Sequence, residues 1–117
     1  MQTRPSPLGP NRRSTRRKVL RQPGTLTLAG QTPRAVTVWD VGVDGLSVLS
    51  PRPVPPGSRC ELDFELPDVG ALAAVHVAGK TVYSSFMGAE GFRVGLVFTG
   101  ALPEVQRAIE RFADDTP

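Results

Sequence analysis

Cysteine, histidine and aromatic residues are scarce in this sequence, and each shortage closes off a class of protein. The one cysteine, Cys60, permits no internal disulfide, and together with the one histidine, His76, it is too little for an ordinary zinc site. Aromatic side chains make up 6% of the chain, so aliphatic residues have to fill the core. No apolar run comes near the ~20 residues of a membrane helix. The N-terminus also lacks the apolar stretch of a secretory signal, so the chain is expected to be cytoplasmic. No Gly-rich phosphate loop opens a helix and no nucleophile–base–acid set stands out, so an enzyme is not expected. A length of 117 residues with 39% hydrophobic positions fits one small domain.

Acidic residues are missing from the first 39 positions, which hold eight cations, whereas the remainder holds six cations and eleven carboxylates. A segment of charge +8 is thus joined to a body of −5. Six of the eight cations lie between Arg12 and Arg21, and five of those six are arginine. Such an arm seeks anions. Arginine's planar fork pairs bidentately with a phosphate or a guanine edge, which a lysine point charge does not. Cations gathered in one arm, with no interleaved aromatics over a face, argue against a general nucleic-acid binder.

Glycine and proline are abundant, twelve of each, and mark many turns between short strands. Residues 1–11 contain three prolines and read as a disordered leader. Residues 12–113 read as a single domain that includes the arginine arm, with 114–117 as a tail. Polar–apolar alternation predicts strands over Gly24–Ala29, Arg34–Asp40, Leu46–Leu49, Ser58–Leu66, residues 71–83 and Phe92–Thr99, with Gly79 as a bulge in the fifth. The arginine segment before Gly24 is expected to be a mobile arm. The glycines around Asp44 are expected to visit positive φ and to let something approach the backbone closely. Residues 51–57 read as a proline-rich loop and 84–91 as a hairpin loop.

Only Pro103–Phe112 carries a helical period, with Val105, Ala108, Ile109 and Phe112 on one stripe. The expected fold is therefore mainly β, a small six-stranded antiparallel barrel with a short C-terminal helix covering an open edge or end. Cys60 alternates with Leu62 and Phe64 and belongs to the core. His76 falls on the outward face without a carboxylate companion, and Glu61, Asp63 and Glu65 read as a solvated strand face. Trp39 is expected at the barrel end or beside the arm.

Three motifs then stand in order. An RxxxR pattern precedes the first strand, as Arg13…Arg17 and, one residue earlier, as Arg12…Arg16. Asp40-Val-Gly-Val-Asp-Gly45 ends the next strand, and Val94-Gly-Leu-Val-Phe98 lies in the last. In these motifs the chain resembles the PilZ domain family of bacterial receptors for cyclic di-GMP, whose patterns are RxxxR and [D/N]xSxxG. The Arg13/Arg17 register places Pro23 and the strand from Gly24 at the family's usual distance. Gly42 stands where the family has serine, which removes a hydroxyl from the ligand's surroundings. The resemblance covers residues 12–113 and implies a split-barrel-like fold.

It also implies a non-catalytic receptor that binds cyclic di-GMP through Arg12, Arg13, Arg16, Arg17, Asp40, Gly42 and Gly45, with no cofactor or metal. Such a receptor relays the second-messenger state to a protein partner as a monomer or homodimer, in the family's setting of motility and biofilm control. Gly42 motivates the alternative of a degenerate adaptor in motility or type IV pilus assembly that binds no nucleotide.

Overall fold

The computed structural model describes residues 17–114. Strand β4, Arg59–Asp68, shows most plainly why these segments extend. Cys60, Leu62, Phe64 and Leu66 point inward and are buried, while Arg59, Glu61, Asp63 and Glu65 between them face solvent. The other strands are β1 (Arg17–Leu28), β2 (Arg34–Gly42), β3 (Gly45–Ser50), β5 (Ala71–Phe86) and β6 (Phe92–Ala101). All pairings are antiparallel, in the order β1-β2-β3-β6-β5-β4, and β1 pairs again with β4 to close a barrel. Closure gives each of the six described strands a neighbour on both sides.

The inner layer is aliphatic. Leu26, Val38, Val41, Leu46, Val48, Leu62, Leu66 and Val94 are fully enclosed. Helix α1, Pro103–Asp114, buries Val105, Ala108, Ile109 and Phe112. It packs on β4, β2, β5 and β1 together, as a helix lying across an open end of the barrel does. Val54 of the proline-rich loop is also fully buried. The Thr81 hydroxyl holds that loop down, donating to the Pro55 carbonyl at 2.7 Å and accepting from the Ser58 N–H at 2.9 Å. Among the described residues no helix is long and apolar enough to cross a membrane.

Two boundaries differ most from the sequence reading. Strand β1 begins at Arg17, well before Gly24, because Arg17, Lys18 and Val19 continue the ladder with Gly42, Val41 and Asp40. The root of the arginine arm is therefore barrel wall. Residues 84–86, read as loop, instead finish β5, pairing Ser84, Ser85 and Phe86 with Val94, Arg93 and Phe92. The Phe86 and Phe92 rings meet there at 5.5 Å, a contact no local pattern announces. The expected bulge at Gly79 is present, between Ala78 and Gly79 in the β5–β6 ladder.

The glycines of the β2–β3 connection have a different cause from the one expected. Neither Gly42 nor Gly45 is among the residues with positive φ. Gly45 is required by β6: a Cβ there would lie 2.1 Å from the Leu96 carbonyl oxygen. The close approach is strand on strand. Gly45→Ala should therefore lower stability in urea unfolding by at least about 2 kcal/mol. Gly100→Ala, where a Cβ meets nothing nearer than Ala78 Cβ at 3.9 Å, should stay within about 1 kcal/mol. Equal costs at the two positions would contradict this account.

Candidate functional site

Two irregularities coincide on the outer wall of the barrel. In the β1–β2 ladder Val19 faces Asp40 and Gln22 faces Val38, so Leu20 and Arg21 together oppose the single residue Trp39. In the β2–β3 ladder Val38 faces Val48 and Asp40 faces Ser47, which leaves Trp39 as the extra residue of a second bulge. Bulges re-aim side chains. Here Val38 and Val41 stay in the core, and the two residues between them, Trp39 and Asp40, are both turned out of it.

Asp40 is then held from three strands. Its Oδ2 accepts a hydrogen bond from Arg93 Nη2 on β6 at 2.6 Å, and its Oδ1 accepts from the Ser47 hydroxyl on β3 at 2.8 Å. Arg93 Nε also donates to Ser47 Oγ at 3.3 Å. Arg17 at the start of β1 brings Nη1 to 3.5 Å from Asp40 Oδ1, an ion pair at longer range. The Asp40 side chain is 12% exposed, against 33% for Arg17 and 32% for Arg93. A carboxylate so far withdrawn from water needs this compensation, since an unpaired buried ion costs several kcal/mol.

Next to this cluster, the Arg21 guanidinium lies over the Trp39 ring, 4.6 Å from its centroid. Arg21 has φ 58°, the left-handed region that costs a non-glycine residue about 1–2 kcal/mol. Gly42 pairs with Arg17, and Gly95 pairs with Ser47, where a side chain would collide with the Tyr83 ring.

The expected meeting of arm and aspartate thus occurs at Arg17, Asp40 and Gly42, with Gly45 at the adjoining strand start. Arg12, Arg13 and Arg16 lie outside the described residues. Ser47 and Arg93 were missed by sequence reasoning. Ser47 lies in an apolar strand run, and Arg93 sits in the last strand, remote from both motifs. The cross-strand row joining Asp40 and Ser47, and the neighbouring row that carries Arg93, exist only once the register is set. Among the described residues no group of His, Cys, Asp or Glu is placed to hold a metal ion.

The PilZ domain family model matches residues 11–115 of the sequence. The chain belongs to the PilZ domain family. No curated protein matches it. Among solved structures, the PilZ barrel is similar to the Bacillus subtilis inhibitor of motility MotI/DgrA, with a TM-score of 0.70 and 10% identity. That match covers 84% of this chain and 47% of the other, so this PilZ chain spans about half the length of the Bacillus protein. It is also similar to the PilZ domain of YcgR from Escherichia coli, solved with c-di-GMP, at TM-score 0.61 and 17% identity over 83% of this chain and 85% of that one. At these identities the likeness is one of fold.

Elsewhere on the PilZ barrel one expectation is overturned. His76, read as having no carboxylate companion, stands directly across from Asp63 in the β4–β5 ladder. Its Nδ1 is 2.7 Å from Asp63 Oδ1 and its Nε2 is 3.2 Å from Glu61 Oε1. Alternation had put all three on outward faces, but only the register sets them opposite one another. The hydrogen bond with Asp63 raises the His76 pKa above its ordinary value; desolvation opposes this, and the charges of Asp63 and Glu61 add to it. Cys60, by contrast, is core as expected, its thiol pushed up to about 11 by burial and then by the Glu61 charge.

Arg93→Ala should cost about 2–3 kcal/mol of stability, because it removes the shortest charged hydrogen bond to the nearly buried Asp40. Adding Asp40→Asn should recover part of that loss, and a strictly additive double-mutant cycle would refute the coupling. For His76 the folded-state pKa lies above the unfolded one. Its contribution is therefore complete below the ordinary histidine value and disappears as pH rises through the elevated one. Stability should fall slightly over that window, weakly because the pair is exposed and screened. The dependence should vanish in His76→Gln and shrink in high salt; an unchanged pH slope in that variant would remove His76 as its source.

Proposed function

We propose that this PilZ domain is a non-catalytic receptor for cyclic di-GMP. The observation that carries the reading is the Arg17–Asp40 contact, which sets the root of the arginine arm against the motif aspartate on one face of the barrel. A cyclic dinucleotide of guanine is a dianion with two bases. Its recognition calls for guanidinium forks and for an acceptor on the guanine donor edge.

In this reading Arg12, Arg13, Arg16 and Arg17 bracket phosphates and the O6/N7 edge. Asp40 accepts from guanine N1–H and N2–H₂. Arg93 and Ser47 keep Asp40 aimed, and Gly42 puts no side chain between it and Arg17. Arg17 is the more loosely held partner of Asp40 and is the one exchanged for a base. The output is a change in how the arm lies on the barrel, which a partner protein reads. The solved YcgR PilZ domain with c-di-GMP supports this assignment of ligand.

Titration calorimetry with the full chain should show cyclic di-GMP binding at micromolar affinity or tighter. Asp40→Ala, or Arg13→Ala combined with Arg17→Ala, should abolish it. No heat and no amide shifts at ~100 μM ligand would end the receptor reading. Gly42 favours a second reading, an adaptor in motility or pilus assembly that binds no nucleotide. Gly42→Ser separates the two: it should tighten binding by up to about tenfold in a working site and leave a dead one silent.

A further inference from the structure

Arg21 lies outside the Arg13…Arg17 and Arg12…Arg16 pairs, and its backbone is unusual. Among the described residues it is the only non-glycine with positive φ. The bulge between Val19 and Gln22 that imposes this conformation also lays its guanidinium on Trp39. Trp39 is the extra residue of the second bulge and the chain neighbour of Asp40. Arg21 is exposed and Trp39 half-buried, so the indole covers one side of the guanidinium and the other side faces solvent.

Shielding an indole does not require this arrangement. A leucine or lysine at an ordinary strand φ would cover Trp39 without left-handed backbone. Strain held at one exposed side chain beside a ligand-reading carboxylate is a mark of function. The chemistry names the ligand class. A guanidinium is planar and weakly hydrated, and it attracts π-systems on both of its faces.

We propose that Arg21, seated on Trp39, is a stacking platform for the face of a purine, a guanine of the cyclic dinucleotide. The proposal rests on the receptor reading above and adds a subsite to it. Asp40 reads the edge of a guanine, and the Trp39–Arg21 pair carries the flat face of a guanine. Stacking of this kind tolerates any purine, so selectivity stays with Asp40 while the platform adds affinity.

Trp39 is the only tryptophan, so the fluorescence of the chain reports from this one position. The test is a cyclic di-GMP titration of the full chain, followed in parallel by calorimetry and by Trp39 emission. The two isotherms should coincide in the native protein. Arg21→Gly is the decisive variant, because glycine accepts φ 58° and keeps the bulge while deleting the guanidinium. It should weaken binding by about tenfold or more and erase the emission change. Arg21→Lys keeps the charge without the flat face and should fall between. Unchanged affinity in Arg21→Gly, or flat emission in a native protein that binds, overturns the platform and leaves the receptor standing. Absence of any calorimetric binding by the native chain overturns both.

Discussion

Placing a carboxylate on the barrel wall with little access to water is the constraint on which the rest of this structure depends. Asp40 keeps 12% of its side-chain exposure, so its lost hydration has to be replaced by donors. Those donors come from three strands: Arg93 on β6, Ser47 on β3 and Arg17 on β1. A slip of one residue in any of the three ladders would turn a donor toward the core. The cluster and the strand register therefore stabilise one another, and the site is not an attachment to an independent scaffold.

The paired bulges at Trp39 solve a geometric problem. A regular strand sends neighbouring side chains to opposite faces, yet Trp39 and Asp40 both lie outside the core between buried Val38 and Val41. One extra residue in β2 relative to β3, and another in β1 relative to β2, make this possible. The cost is paid at Arg21. Glycine at 95 is enforced by the Tyr83 ring across it, just as glycine at 45 is enforced by the Leu96 carbonyl.

Helix α1 is tied to the strand that carries the site. Lys18, next to Arg17, places its ammonium over the Phe112 ring at 4.9 Å. In the same last turn of the helix, Arg111 donates to Asp68 through Nε at 3.0 Å and Nη2 at 2.8 Å. That pairing holds the Asp68 carboxyl below its usual range, first through the Arg111 hydrogen bond and then through the Val69 N–H. Adjacent residues of β1 thus touch the functional cluster and the helix that covers the barrel end. The opposite wall is acidic, with Glu61, Asp63 and Glu65 facing out of β4 around His76.

Much of the architecture was legible in the order of residues. Alternation is a local property, so β4, the core placement of Cys60, the apolar stripe of α1 and the bulge at Gly79 could be read directly. The missed ends of β1 and β5 were extended by partners and not by pattern: Arg17–Val19 are polar or exposed yet continue a ladder, and Ser84–Phe86 pair across the sheet. Half of the site was equally visible, because arginine spacing and the Asp40–Gly45 stretch are contiguous signals. Ser47, Arg93, the Arg21–Trp39 stack and the His76–Asp63 pair carry no such signal, since each depends on a neighbour far away in the chain. By itself the sequence determined which residues face inward and which charges had to be shared out, because burial of apolar groups acts residue by residue. Only the tertiary structure decided who meets whom, because register and bulges are set by the whole closed barrel.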